Sequence, residues 1–387
     1  MSEVLAQLQE RVRAAAADHQ PLRIRGGGSK DFLGESLQGQ ILDTRPLNGI
    51  CNYEPSELVV TVQAGTLLRE LETVLAGQGQ CLAFEPPHFS PTTTVGGMVA
   101  AGLAGPARAS VGGVRDYVLG LQLINGRAEI LSFGGTVMKN VAGYDLSRLM
   151  VGAMGTLGLI TEVSLKVLPF APSEATLRFE MGQAQALAQL HLWGAQALPL
   201  NASNWVPDEV RGTAEGTVGG KAPGEVGGVL YLRLRGAVAA VEAACTSMQK
   251  QGGQRMDMAS TANDWRACRD MQLPFFNPVN NMALWRLSVP QTTPPLNLPF
   301  AQLIDWHGAL RWLWAPADAT SQIVAAAKTA GGSALVYWAT DAAGQPTKPQ
   351  PATLSDLTTP LRQIHTRLKA EFDPEHIFNP GRLFANL

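Results

Sequence analysis

The sequence predicts an α+β protein of two or three folding units, and three observations point there. Its 387 residues suffice for two or three domains of about 150 residues each. Apolar residues alternate more often than they recur at helical spacing, and successive strands are linked by hairpin signals, which favours mixed sheets over a parallel doubly wound one. Composition is also split. Residues 1–170 hold 23 of the 40 glycines, whereas the eight tryptophans run from Trp193 to Trp338, so two different constructions meet near Pro169.

The elements follow in order. Val4, Leu5, Leu8 and Val12 form one stripe of an N-terminal helix, and Leu22 to Arg25 reads as a short strand running into glycines. Glu57 to Gln63 is a second strand. Thr66 is placed to cap a helix whose Leu67, Leu68, Leu71, Val74 and Leu75 make an apolar face ending at Gly77. Tyr117 to Ile124 and Ala128 to Phe133 flank Asn125-Gly126, a strong hairpin signal, and Leu159 to Leu168 alternates as a closing strand. The second part repeats an order: strand 176–181, helix 184–198, strand 200–205, strand 229–235, helix 238–251. Strands 282–289 and 310–314, helix 318–330 and strand 334–338 come after it. This predicts a βαβ–βαβ sandwich with helices on one face of an antiparallel sheet. Asp208 to Gly228 reads as a surface loop and Gln345 to Pro351 as a boundary. The last helix carries Leu361, Ile364, Leu368 and Phe372 as a core stripe, with Asp373, Glu375 and His376 at a solvated corner.

Composition excludes several functions. Thirty basic against 32 acidic residues, net −2, give no field suited to nucleic acid or an anionic membrane surface. Charged residues make up only 16% against about 25% in typical globular proteins, which suits a surface partly covered by a ligand or by partner subunits. Cys51, Cys81, Cys245 and Cys268 form no Cys-x-x-Cys and no close cysteine–histidine cluster. A zinc finger, an iron–sulfur cluster on this chain and a disulfide framework are therefore not expected. The N-terminus has no apolar signal-peptide core, and the uncharged run Thr92 to Pro106 is too short to span a bilayer. A cytoplasmic protein is expected, held at the inner membrane only through partners.

Two loops suit phosphate. Gly26-Gly27-Gly28-Ser29 leaves a strand, and consecutive glycines let backbone N–H groups line a concave nest for an anion. Pro86-Pro87 and then Thr92-Thr93-Thr94-Val95-Gly96-Gly97 open a small-residue helix, where hydroxyls and amides meet with room for a pyrophosphate. A flexible turn and an ordinary capped helix are the plainer readings of the two.

A third stretch joins them: Lys139-Asn140-Val141-Ala142-Gly143-Tyr144-Asp145-Leu146, continuing to Gly155-Thr156-Leu157-Gly158-Leu159-Ile160-Thr161. With Asn379-Pro380-Gly381-Arg382 near the end, these motifs resemble the vanillyl-alcohol-oxidase/PCMH-type FAD-binding flavoproteins along nearly the whole chain. Within them the chain looks most like the 2-hydroxyacid dehydrogenase branch and its bacterial glycolate oxidase subunits. The resemblance implies a PCMH-type FAD-binding domain of two α+β subdomains over residues 1–169. It further implies a ferredoxin-like α+β cap over 170–350 and a segment 351–387 that returns to the FAD domain. Non-covalent FAD would be held by Gly26, Gly27, Gly28 and Ser29 from one side and by Pro86, Thr94, Gly96 and Gly97 from the other. Gly155, Gly158 and Ile160 would meet its adenine and ribose end, with Asn379 at the returning tail. The family's Tyr-Gly pair near the flavin falls at Val111-Gly112, and Met154 replaces a common glutamate.

One departure bears on activity. Catalytic members of the branch carry His-x-Gly-Asp-Gly-Asn-x-His in the cap, a pair able to ligate a metal or move a proton. This chain has no such motif; its cap holds only His191 and His307. Arg286 and Arg311, single cations among aromatics, are the substrate-side candidates for a carboxylate, with a structural ion pair as the plainer reading. His307, two residues from Asp305, is a candidate base, and His88 a candidate for a flavin link. The expected function is the FAD-binding subunit of a complex that oxidises glycolate to glyoxylate. Its partners would be a second FAD-containing subunit and an iron–sulfur subunit that takes the electrons. A self-sufficient FAD-dependent 2-hydroxyacid dehydrogenase of D-lactate type and a non-catalytic FAD-containing structural subunit are the alternatives.

Overall fold

Alternating apolar residues build two sheets of different make, each in its own unit. The computed structural model describes residues 3–34, 37–135, 145–208, 227–347 and 357–384. Lys139–Tyr144, nearly all of the Asp208–Gly228 loop and the end of the Gln345–Pro351 stretch lie outside them. The first unit comprises Met1–Ala104, Gly113–Phe170 and Gln350–Leu387, and the second Gly105–Gly112 and Ala171–Pro349. Residues 105–112, which the sequence places in the first domain, thus group with the second.

In the first unit, β1 (Leu22–Arg25) pairs in parallel with β2 (Gln40–Asp43). A five-stranded antiparallel sheet holds β3 (Ile50–Glu54), β4 (Val59–Gln63), β6 (Val118–Ile124), β7 (Ile130–Gly134) and β8 (Leu159–Lys166) in the order β3-β4-β8-β6-β7. The short β5 (Gln80–Cys81) pairs with β9 (Leu168–Pro169). The expected closing strand β8 is therefore the centre of its sheet, and it is buried along most of its length. Helix Glu3–Ala17 buries Leu8, Val12 and Ala15 in a cluster with Leu22, Leu42, Ile124, Ile377 and Phe378. Both chain ends share this core, and each such aliphatic side chain contributes roughly 1.5–3 kcal/mol.

Four local readings change. Thr66 is not the cap of helix Leu68–Gly77; Leu67 holds that position, and Thr66 Oγ1 instead accepts from Gly49 N at 2.9 Å. The Asn125 turn is longer than a two-residue hairpin, because Asn125 Oδ1 accepts from both Arg127 N and Glu129 N. On the last helix, Thr359–Phe372, Leu361 and Ile364 are exposed, so the stripe is not core there. Asp373 is fully buried rather than solvated: Lys369 Nζ donates to it at 2.6 Å and to the carbonyls of Thr156 and Phe378.

The second unit is one antiparallel sheet of nine strands: β10 (Ser173–Glu180), β11 (Leu200–Pro207), β12 (Gly228–Gly236), β13 (Gln254–Arg255), β14 (Ala283–Ser288), β15 (Gln302–Asp305), β16 (Leu310–Ala315), β17 (Ser333–Thr340) and β18 (Pro346–Thr347). Their order is β13-β10-β12-β11-β15-β16-β14-β17-β18. The Asn204↔Asp305 register joins its two halves. Leu177, Phe179, Leu230 and Leu232 face helices Gln183–Gly194 and Val238–Gln249, while Trp285, Leu287 and Leu313 face helix Thr320–Thr329. The intervening residues point the other way, since side chains alternate across a strand. There a helix without a sequence-level signal, Met258–Arg269, lays Trp265 and Cys268 against Ala202 and Tyr231. Helices thus cover both faces of this sheet.

Candidate functional site

In the first unit, β1 ends where the glycines begin, and the space around them explains why. A Cβ on Gly26 would stand 2.3 Å from Thr94 Oγ1, and one on Gly27 1.6 Å from the Thr92 carbonyl oxygen. Gly28 has φ +72, a conformation few other residues adopt cheaply. Thr92 Oγ1 donates to Gly27 O at 2.9 Å. The two phosphate-compatible loops therefore lie directly against one another, although they are more than sixty positions apart.

Thr94 caps helix Val95–Ala101, its hydroxyl accepting from Gly97 N at 3.3 Å. Gly96 N donates to Ala64 O at 2.7 Å, and a Cβ there would come within 2.7 Å of Ala64 Cβ. Gly96 is thus a packing glycine whose amide is spent inside the protein. Asn379 clamps the other wall: Oδ1 accepts from Ile24 N at 2.8 Å and Nδ2 donates to Met154 O at 2.7 Å. Gly155, at φ +71, leaves room for that amide, since its Cβ would meet Nδ2 at 2.7 Å.

The resulting open cleft gathers Gly26, Gly27, Gly28, Ser29, Thr94, Gly97 and Asn379. Four cations that the sequence reading does not assign to the site line it too: Arg23, Arg25, Lys30 and Arg382. Arg23 Nη2 and Arg25 Nε both hold Asp31 Oδ2, at 2.6 and 2.9 Å. Arg382 Nη2 donates to Lys30 O at 2.8 Å, and burial pushes its pKa down to about 10, still cationic at neutral pH. Arg23 Nε is buried without a hydrogen-bond partner, which asks for an acceptor. Three consecutive glycines, a left-handed Gly28 and an orphaned arginine donor suit the two phosphates of a dinucleotide such as FAD. The available signal was the alternation of Arg23 and Arg25 on a strand that runs into glycines.

The other expected FAD residues do not line this cleft. Gly158 packs against Ile124 O at 3.1 Å from its would-be Cβ; Ile160 is buried opposite Leu123, and Pro86 is buried. Gly112 belongs to the second unit, where its N–H donates to Arg108 O at 2.9 Å. His88 lies 2.9 Å from Glu72 Oε2, an ion-pair geometry.

The second unit separates the two candidate arginines. Arg311 is fully buried, donates to Gly308 O and Thr293 O at 2.8 and 2.9 Å, and is pushed down to about 10 by burial. These bonds use Nε and Nη2, while Nη1 is buried without a hydrogen-bond partner. Arg286 is half-buried and lies over the rings of Trp306 (5.2 Å) and Trp312 (5.9 Å). Its hydrogen-bonding groups meet no described residue, and burial, with Arg108 nearby, draws its pKa down to about 10. Arg108 stacks on the same Trp306 at 4.6 Å.

His307 is not on a strand but at φ +54 in a 3-10 turn. Its ring joins Ser203 Oγ (3.0 Å) and Ser110 Oγ (2.9 Å), and burial pushes its pKa down to about 4. A base so weak serves poorly for proton abstraction near neutrality. His191 Nε2 meets Gln291 O at 2.6 Å. Among the described residues no group of three or more His, Cys, Asp or Glu side chains could hold a metal ion.

Comparison with known proteins supplies the remaining observations. The FAD binding domain family matches residues 3–134. The chain is 42% identical over 380 residues to glycolate oxidase subunit GlcE of Escherichia coli, covering 98% of this chain and 97% of that protein. It is 37% identical over 139 residues to D-lactate dehydrogenase of Anaerostipes hadrus, 36% of this chain and 29% of that one. Against glycolate oxidase subunit GlcD of Bacillus subtilis identity is 32% over 183 residues, 46% of this chain and 38% of that one. A solved alkyldihydroxyacetonephosphate synthase shares the fold at TM-score 0.66 and 16% identity, over 97% of this chain and 74% of that one.

Proposed function

Because this chain belongs to the FAD-linked oxidoreductase family of the glycolate oxidase subunit GlcE, we propose that it is the FAD-binding subunit of a complex that oxidises glycolate to glyoxylate. It would act beside a second FAD-containing subunit resembling GlcD and an iron–sulfur subunit that receives the electrons. The carrying observation is the end-to-end likeness to GlcE. The glycine cleft with Arg23 and Arg382 agrees with it.

In this reading Gly26, Gly27, Gly28 and Ser29 hold the FAD diphosphate through backbone N–H groups, with Arg23 donating Nε. Thr94, Gly96 and Gly97 back that loop, and Asn379 fixes Ile24 and Met154 around it. FAD, when bound, would supply the acceptor for two electrons. Gly155, Gly158 and Ile160 shape the turn and strand beside the adenine end, while Pro86 and Gly112 remain candidates at their own loops. Arg286, a stacked cation without a hydrogen-bonded partner among the described residues, is the group suited to a substrate carboxylate.

The partial likeness to D-lactate dehydrogenase favours a second reading, in which this chain alone oxidises a 2-hydroxy acid. The weak His307 speaks against it, since removal of the hydroxyl proton needs a base. The test expresses the chain alone and together with its two partner subunits. The FAD-loaded chain alone is expected not to reduce a dye with glycolate or D-lactate, and the co-purified complex to do so with glycolate. Turnover by the isolated chain would establish the second reading, and a chain that copurifies with neither partner would overturn the first.

A further inference from the structure

The second unit holds a cavity of about 290 Å³ on the sheet face that carries helix Met258–Arg269. That is roughly twice the ~150 Å³ of an apolar cavity known to take up benzene. Its floor is Asn204, Tyr231 and Leu303 on three strands, and its roof is Trp265 and Cys268 with Leu273 and Phe275. The walls are held in place. Trp265 Nε1 donates to Thr176 Oγ1 at 2.9 Å, and Asn204 Nδ2 reaches Cys268 Sγ at 3.7 Å. Arg233 lies 4.8 Å over the Trp265 ring while its Nε donates to Asn201 Oδ1 at 2.6 Å.

Two features define a ligand. Among the described residues the only charged group lining the cavity is the carboxylate of Asp264, exposed on the helix, so an anion finds no described cation there and meets repulsion. Asn204 Nδ2 is engaged by Cys268 Sγ, while its Oδ1 takes no hydrogen bond from a described residue and is left as an acceptor for whatever fills the cavity.

We propose that this cavity binds an uncharged, planar, ring-hydroxylated aromatic compound of one or two rings, its rings against Trp265 and Tyr231 and its hydroxyl donating to Asn204 Oδ1. The site is separate from the glycine cleft and does not depend on the function proposed above. It excludes glycolate and other carboxylates by charge.

The probes are 2-naphthol, naphthalene and 2-naphthoate, titrated into the FAD-loaded protein by calorimetry and by tryptophan fluorescence. Saturable one-to-one binding of 2-naphthol is expected, with naphthalene and 2-naphthoate each at least about tenfold weaker. Leu273 is half-exposed, so Leu273→Trp fills the cavity from a tolerant position and should weaken 2-naphthol at least about tenfold without lowering Tm. Asn204→Leu should bring 2-naphthol down to the affinity of naphthalene. No saturation up to roughly 1 mM, equal affinity for 2-naphthoate, or unchanged binding in Leu273→Trp would overturn the site. Unchanged preference for 2-naphthol in Asn204→Leu would overturn the role of the amide.

Discussion

At Gly27 an added methyl group would sit 1.6 Å from the Thr92 carbonyl oxygen, and no flexible side chain is there to yield. Gly27→Ala must therefore displace one phosphate-compatible loop from the other. FAD affinity should fall at least about tenfold, read as flavin retained through gel filtration. Gly77→Ala is the control, since nothing lies within 4 Å of its would-be Cβ, and it should keep its flavin. His307 gives a second prediction. Its folded pKa of about 4 lies below the ordinary 6.5, so the unfolded chain binds a proton that the folded one refuses. Stability is fully present above about pH 6.5 and is lost as pH falls towards 4, by about 2 kcal/mol at about pH 5. Urea unfolding of His307→Asn, a residue that tolerates the left-handed backbone, should show that much less loss over the same range.

Elements were legible where a pattern is local. The strand Leu22–Arg25 and the helix ending at Gly77 stand where alternation and spacing put them. The helix Met258–Arg269 escaped notice because only Thr261, Trp265 and Cys268 of its twelve residues are buried, among small polar neighbours. The glycine loops were readable for the same reason that they work: glycine is needed where backbones touch. Arg23 was not, and the tail that brings Arg382 was expected only through the family resemblance, because nothing local says that residues 359 positions later fold back on β1. That return is held by the last helix. Lys369 and Asp373 are 2% and 0% exposed and tie the helix to Thr156, Ile377 and Phe378. Burial lowers the Lys369 pKa while the Asp373 carboxylate opposes the shift. Lys369→Met strands Asp373 in the interior and should destabilise the protein by about 3–5 kcal/mol, measured by urea unfolding. Asn379→Ala removes two bonds to backbone and should cost about 1–3 kcal/mol together with flavin retention.

Across the whole molecule, ligand and stability are linked. FAD held by the folded first unit and not by the unfolded chain should stabilise it by about 2.7 kcal/mol at a hundredfold excess over Kd. Tm should then climb with added FAD, and Gly27→Ala should climb markedly less at the same FAD concentration. No helix among the described residues is long and apolar enough to cross a membrane. Net charge −2 agrees with a chain whose associations rest on shaped contacts and not on a broad field.

The short passage Gly105–Gly112 has a consequence for the gene. Trp306 Nε1 donates to Gly105 O at 3.0 Å and Arg108 stacks on the same indole, so eight residues encoded inside the first unit complete the second. The polypeptide passes between units at four places. A single crossover near Pro169 would therefore yield a hybrid whose Trp306 comes from one parent and whose Arg108 comes from the other. A recombinant that keeps both partners from one parent must carry the octapeptide together with the later block.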